Sequence, residues 1–270
     1  MQRAAPFLRW AGGKQSLCKH LFRFVPQHNK NTTYWEPFLG GGALFFALDI
    51  SRAVLSDLNP HLIECYKAVR RHPKLVHEKI YEHGQRNSEN YYYQVREFFN
   101  EADPGVDRAA AFIYLNKASY NGIYRVNQKG KYNVPYGRKE PPALPSEPEL
   151  LKISRALKHV KLKIGSFETI VVNAKKGDFI YMDPPYPPIN GSSYFTHYTK
   201  SKFGKKEQKL VALIAEKMAA KGCNVMISNA ATPEIIDLYK GWNQKELEVI
   251  RWITCKSTKH KVSELIITNY

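Results

Sequence analysis

Apolar positions along the chain follow two periods, and the changes between them mark the predicted elements. "KQSLCKHLFRFVP" has helical spacing and stops at Pro26, while "TTYWEPF" is rich in β-formers and ends in "LGGG". "ALFFAL" restarts as a helix, and "RAVLSDLNP" reads as a strand closed by Asp57, Asn59 and Pro60. This is a β-α-β unit with its glycine turn after the first strand. From about residue 61 the pattern becomes helical, aromatic and charged, through "HLIECYKAVRRHPKLVHEKIYEHG" and "ENYYYQVREFFNEA" to a more buried "RAAAFIYLNKASYNG". "IYRVNQKGKYNVPYGR" then alternates like a hairpin with "QKGK" as its turn, and the proline-rich stretch at 140–150 reads as a linker.

After that stretch the α/β rhythm returns. Strands are expected at "VKLKIGS", "GDFIYM", "NVMISNA", "ELEVIRWIT" and "SELIITNY", with helices at "KKEQKLVALIAEKMAAKG" and "TPEIIDLYKGW". The expected architecture is an α/β fold built on an open, mostly parallel sheet whose last strand runs antiparallel. Residues 1–60 and 146–270 supply the sheet, and 61–145 form an inserted domain with its hairpin at about 118–138.

Composition agrees with a packed core, since 43% of the 270 residues are hydrophobic. No stretch has the length and apolarity of a membrane span, and "MQRAAPFLRW" lacks an apolar signal core. Cys18, Cys65, Cys223 and Cys255 are scattered, without zinc spacing, so a reduced cytoplasmic protein is expected. Charge changes the picture more: 41 Lys and Arg against 24 Asp and Glu give +17. A protein this basic points to a polyanionic partner, because pairing with phosphates releases condensed counterions.

Four constellations carry candidate chemistry. In the first, Gly40, Gly41 and Gly42 follow a strand and permit close approach of a ligand, and Asp57 ends the next strand where it can bind vicinal ribose hydroxyls. That arrangement does not match G-x-G-x-x-G, and it suits either a dinucleotide or an adenosyl ligand. In the second, "FLRWAGGK", Trp10 offers a flat apolar face and Lys14 a cation for a carboxylate; a plain helix start with a buried tryptophan is the simpler alternative. The third is "DPPY". Asp183 and the carbonyl of Pro184 can accept both hydrogens of a planar amine, and Tyr186 can stack on a base. The fourth is the insertion. Lys117, Arg125, Lys129, Lys131, Arg138 and Lys139 alternate with Tyr120, Tyr124, Tyr132 and Tyr136, and no acid falls among them. Further cations follow "DPPY" (Lys200, Lys202, Lys205, Lys206) and surround the last hairpin turn (Arg251, Lys256, Lys259, Lys261). One such run is ordinarily a solvated face; three flanking one site suit nucleic acid.

With these residues in view, the chain resembles the Dam- and DpnII-type DNA adenine-N6 methyltransferases, the D12 family, in the alpha arrangement of motifs. "FLRWAGGK", "EPFLGGGALFF", "SDLN", "NKASYNGIYRVNQKGKYNVPYGR", "GDFIYMDPPY" and "SELIITNY" stand in family order across nearly the whole chain. The resemblance implies a Rossmann-like, S-adenosylmethionine-dependent methyltransferase sheet with an inserted recognition domain. It places Trp10, Lys14, Phe38, Gly40, Asp57 and Asp183 at the cofactor, with Asp183, Pro184 and Tyr186 as the catalytic group. On the DNA side it implies Arg9, Tyr120, Asn121, Ile123, Arg125 and Arg138, and GATC as the site. One departure from the family pattern is Tyr124 in "NGIYRVN", whose neighbourhood varies among relatives. The implied partner is duplex DNA, with no metal and no membrane, and the protein is expected to be a monomer in the cytoplasm at the nucleoid. Protein-glutamine or RNA methylation would use the same amine pocket, but the basic hairpin suits duplex DNA. A non-enzymatic DNA binder would not need the cofactor blocks, and a nicotinamide dehydrogenase would have no use for Lys14.

Overall fold

Strand residues of this chain alternate between two apolar faces, and each face has its own set of helices. In the computed structural model, which describes residues 3–15, 17–27, 31–48, 50–138, 140–186, 203–252 and 259–270, the strands are Tyr34–Glu36 (β1), Ala53–Asp57 (β2), Lys161–Ile164 (β3), Phe179–Met182 (β4), Asn224–Ala230 (β5), Asn243–Trp252 (β6) and Lys259–Thr268 (β7). They form one sheet in the order β3-β2-β1-β4-β5-β7-β6. Pairing is parallel from β3 to β5, and β7 runs antiparallel to both β5 and β6. The expected antiparallel last strand is present, and β1 and β4 lie side by side.

Tyr34, Leu55, Phe179, Tyr181, Met226 and Ile266 face one layer. Trp35, Val54, Ile180, Met182, Ile227 and Ile267 face the other, as a period of two requires. The first layer holds helices Cys18–Leu21 (α1), Ala43–Ala47 (α2), Pro60–Arg71 (α3), Pro73–Gln85 (α4), Glu89–Glu101 (α5) and Val106–Ala118 (α6). Residues 109–116 of α6 are buried without interruption, so this helix is the centre of its layer rather than a surface element. The inserted segment thus shares one buried cluster with the sheet face.

Two local expectations are corrected. The first helix is a single turn followed by a 3-10 turn, Phe22–Phe24. Its N-cap position is Leu17, which offers no side-chain oxygen, and no acid lies in the first turn to favour extension. The expected linker at 140–150 ends inside a helix, Glu147–Ala156 (α7). Ser146 and Glu149 form a capping box, and Pro148 sits in the first turn, where a missing N–H costs nothing. Leu150 and Ile153 are buried, and α7 packs on α3 and α4. The second layer contains Phe167–Ile170 (α8), Lys205–Ala220 (α9) and Pro233–Leu238 (α10).

The hairpin forms around its expected turn, with the amide of Gly130 donating to the Asn127 carbonyl. It is not a continuous ladder: the bridges are the isolated pairs Ser119–Tyr136 and Val126–Tyr132. The reason lies in α5. Tyr92 Oη and Arg96 Nη1 donate to the Val134 carbonyl, and Asn100 both accepts from the Tyr132 amide and donates to its carbonyl. The second arm therefore divides its bonds between helix side chains and the first arm, to which the Tyr120 amide–Pro135 carbonyl and Asn133 amide–Arg125 carbonyl bonds join it. Among the described residues, no helix is long and apolar enough to cross a membrane.

Candidate active site

The strand order reverses between β1 and β4, so the loops after these strands diverge and leave a crevice at their carboxyl ends. β4 is buried at every position and delivers Asp183 to that crevice. Asp183 Oδ1 receives Ser228 Oγ at 2.7 Å and pairs with Lys14 Nζ at 2.9 Å. Ser228 lies on the neighbouring strand β5 and also bonds Tyr181 Oη at 2.8 Å. Lys14 is itself buried, donates to the Gly12 carbonyl at 2.8 Å, and lies 4.6 Å from the centre of the Tyr186 ring. Pro184 is buried. The next carbonyl, of Pro185, accepts from Gln208 on α9, so the rigid stretch is tied to the second layer. Tyr186 Oη donates to Glu264 Oε2, and Glu264 is buried opposite Ala230 in β7.

The glycine turn after β1 forms the opposite wall. Gly40 has φ +47, and its amide donates to Asp57 Oδ2 at 3.0 Å. Asp57 Oδ1 accepts from the Asn59 amide, and Tyr66 Oη reaches the Gly40 carbonyl. A methyl group on Gly40 would lie 2.8 Å from Trp10 Cδ1, so glycine is required for the indole to sit against this turn. Phe38 stacks on Phe167 with ring centres 5.1 Å apart.

Glu36, at the end of β1, is 2% exposed and accepts from Tyr34 Oη. Burial pushes its carboxyl up to about 8; the Tyr34 bond opposes this shift and the charge of Asp183 adds to it. Burial also raises Asp57, against the pull of the Asn59 and Gly40 amides. Glu36, Asp57 and Asp183 thus bring three carboxyl groups together, Glu36 holding its proton and Asp183 bonded to the Lys14 cation. Such a donor set suits a ligand bearing positive charge and vicinal hydroxyls. S-adenosylmethionine, with a sulfonium, an ammonium and a ribose, fits it.

The candidate DNA residues gather on the hairpin and on the segment beside it. Arg9 is exposed, and its backbone is clasped by the Asn116 side chain, which accepts from its amide and donates to its carbonyl, each at 2.8 Å. Tyr120 is 50% exposed. Asn121 and Arg138 take φ +55 and +53, Ile123 is half-buried, and Arg138 is exposed. Arg125 Nε and Nη2 donate to the side chain and carbonyl of Asn133 at 2.9 and 3.2 Å. Lys139, Lys200, Lys202 and Lys256 lie outside the described residues, as do Pro187 and Pro188.

A family model described as "D12 class N6 adenine-specific DNA methyltransferase" matches residues 10–253. The chain belongs to this family. As a D12 methyltransferase it is 38% identical to the type II methyltransferase M1.LlaDCHI of Lactococcus lactis, with 98% of this chain and 95% of that protein covered. It is also 38% identical to the type II methyltransferase M.MjaIII of Methanocaldococcus jannaschii (98% and 99% covered). Identity to the DNA adenine methylase of Vibrio cholerae is 34% (98% and 96% covered). Family membership makes this an adenine-specific DNA methyltransferase, with S-adenosylmethionine use implied by the class.

Several residues of this D12 site escaped the sequence reading. Ser228 reaches Asp183 only because β5 lies beside β4 in a register pairing Met182 with Ile227. Asn116 and Asn133 look like ordinary polar residues until the hairpin folds back on them. Glu36 and Glu264 left a visible signal, since Glu36 ends the aromatic β1 and Glu264 directly precedes the apolar run Leu265–Ile267.

Proposed function

We propose that this protein methylates N6 of the adenine in GATC, using S-adenosylmethionine and taking the target base out of duplex DNA. The observation that supports this most directly is Asp183. It is a carboxylate fixed by Lys14 and Ser228 at a strand tip, and Tyr186 follows it through two prolines. An adenine paired and stacked in a duplex cannot reach such a recess, so the base has to leave the helix.

Trp10, Phe38, Gly40 and Asp57 would hold the cofactor, and Lys14 would meet the carboxylate of its amino-acid tail. S-adenosylmethionine supplies a methyl group activated by positive sulfur. The chain's own part is positioning and electrostatics. Asp183 and the Pro184 carbonyl accept the two amine hydrogens, while Tyr186 stacks on the base. Adenine N6 is a weak nucleophile because its lone pair is delocalised into the ring. As it gains positive charge, bonds to fixed acceptors strengthen, which stabilises the transition state more than the ground state.

Residues 61–145 act as the recognition unit. Asn133 fixes the guanidinium plane of Arg125, whose remaining donors match O6 and N7 of guanine. Arg9 and Arg138 supply further cations, and Tyr120, Asn121 and Ile123 form the surface that meets the bases. The protein is a monomer in solution, acting on DNA in the cytoplasm, where more than one copy can bind the duplex.

Base-modification sequencing of DNA from a methylation-deficient host expressing the protein tests this reading. Methyl-adenine confined to GATC is expected, and Asp183→Ala should remove it. Methylation at another motif would overturn the GATC assignment alone. Near-wild-type transfer by purified Asp183→Ala from tritiated cofactor would overturn the mechanism.

A further inference from the structure

The candidate cofactor residues and one hairpin residue close into a ring. Asp57 holds the Gly40 amide, and Gly40 lies against the Trp10 indole. The Trp10 ring stacks on Tyr124 with centres 5.5 Å apart and planes 23° off parallel. Tyr124 Oη meets His61 Nδ1 at 2.8 Å. His61 stands in the first turn of α3, whose cap residue Asn59 donates its amide back to Asp57. Tyr124 is 8% exposed, and of the members of this ring it alone comes from the hairpin. Two further contacts fasten the same joint. Asn116 clasps the Arg9 backbone and also donates to the Gly122 carbonyl. A methyl group on Gly122 would lie 2.4 Å from Arg9 Cδ.

We propose that Tyr124 is a positioning residue that couples occupancy of the cofactor crevice to the setting of the recognition hairpin, so that cofactor and DNA bind cooperatively. This rests on S-adenosylmethionine and duplex DNA being the ligands. The hairpin gains from such a contact, because its arms are joined by scattered bonds and isolated bridges rather than by a continuous ladder. A ligand seated against Trp10, Gly40 and Asp57 restricts the indole, and the stacked Tyr124 is restricted with it. The ordering cost of docking the hairpin on DNA is then partly met before DNA arrives, and by linkage DNA tightens cofactor binding equally. The aromatic ring carries the coupling; the hydroxyl, through His61, sets which way the ring leans.

The test uses S-adenosylhomocysteine and a fluorescein-labelled GATC duplex. DNA affinity is read by anisotropy with and without S-adenosylhomocysteine, and cofactor affinity alone by calorimetry. For wild type, S-adenosylhomocysteine should tighten DNA binding by about five-fold or more. Tyr124→Ala should bring that ratio close to one while leaving cofactor affinity without DNA within about three-fold, and Tyr124→Phe should retain most of the ratio. Hydrogen exchange over residues 119–137 should slow on S-adenosylhomocysteine binding in wild type and Tyr124→Phe but not in Tyr124→Ala. If Tyr124→Ala unfolds, Tyr124→Leu removes the ring at similar bulk and the same ratio is read. An unchanged ratio in the ring-free variant, or a wild-type ratio near one, overturns the proposal. Wild type that fails to bind S-adenosylhomocysteine at all overturns the cofactor reading as well, and the titration without DNA tells the two apart.

Discussion

Glu36 shows what a single buried carboxyl does to this site. In an unfolded chain it ionises near 4.5, whereas burial at the end of β1 holds its proton to about 8. The folded state therefore binds more protons than the unfolded one across that window, and this residue's contribution to stability falls as pH rises through it. If the cationic cofactor binds in this crevice, as proposed, it favours the ionised carboxylate and its binding has the opposite dependence. We expect protons to be released on S-adenosylmethionine binding near neutral pH and cofactor affinity to rise as pH approaches about 8. Calorimetry in buffers of differing ionisation enthalpy measures the release, and Glu36→Gln should abolish its largest part. At this scale the sequence displayed Asp183, Gly40, Asp57 and Lys14 by their motifs. It did not display that Lys14 bonds Asp183, because "FLRWAGGK" and "DPPY" meet only through the folded crevice.

Among the elements, the hairpin depends most on its neighbours. Its second arm bonds to Tyr92, Arg96 and Asn100 of α5, and its base closes where the Gly137 amide donates to the Ala118 carbonyl. A methyl group on Gly137 would lie 2.4 Å from the Ser119 carbonyl oxygen and 2.8 Å from that of Ala118. Both are backbone atoms, which cannot rotate away. Gly137→Ala should cost about 1–3 kcal/mol in urea unfolding. It should also weaken DNA binding more than cofactor binding, as anisotropy and calorimetry would show. Periodicity revealed the long helices and the central strands because each buries a continuous face. It failed at α7, where prolines and glutamates suggested a linker. In the fold those residues start a helix whose Leu150 and Ile153 find cover on α3 and α4.

At the scale of the whole molecule, the net charge of +17 is the dominant property. If the partner is duplex DNA, log affinity should fall linearly with log salt. A protein covering six or more phosphates should lose about a thousand-fold or more between about 50 and 200 mM salt. A shallow dependence, measured by anisotropy, would mean that the basic runs do not lie along the backbone. By itself the sequence determined the α/β class, the glycine turn, the Asp183–Tyr186 tip that follows β4, the basic insertion and the family, because each is local in the chain or marked by a short motif. Tertiary structure decided the rest. The bonds from Ser228 and Lys14 to Asp183, the ring from Asp57 to Tyr124, and the support of the hairpin by α5 all join residues far apart in sequence. Strand order, register and helix packing bring them together, and the alternation of apolar residues does not encode those long-range choices.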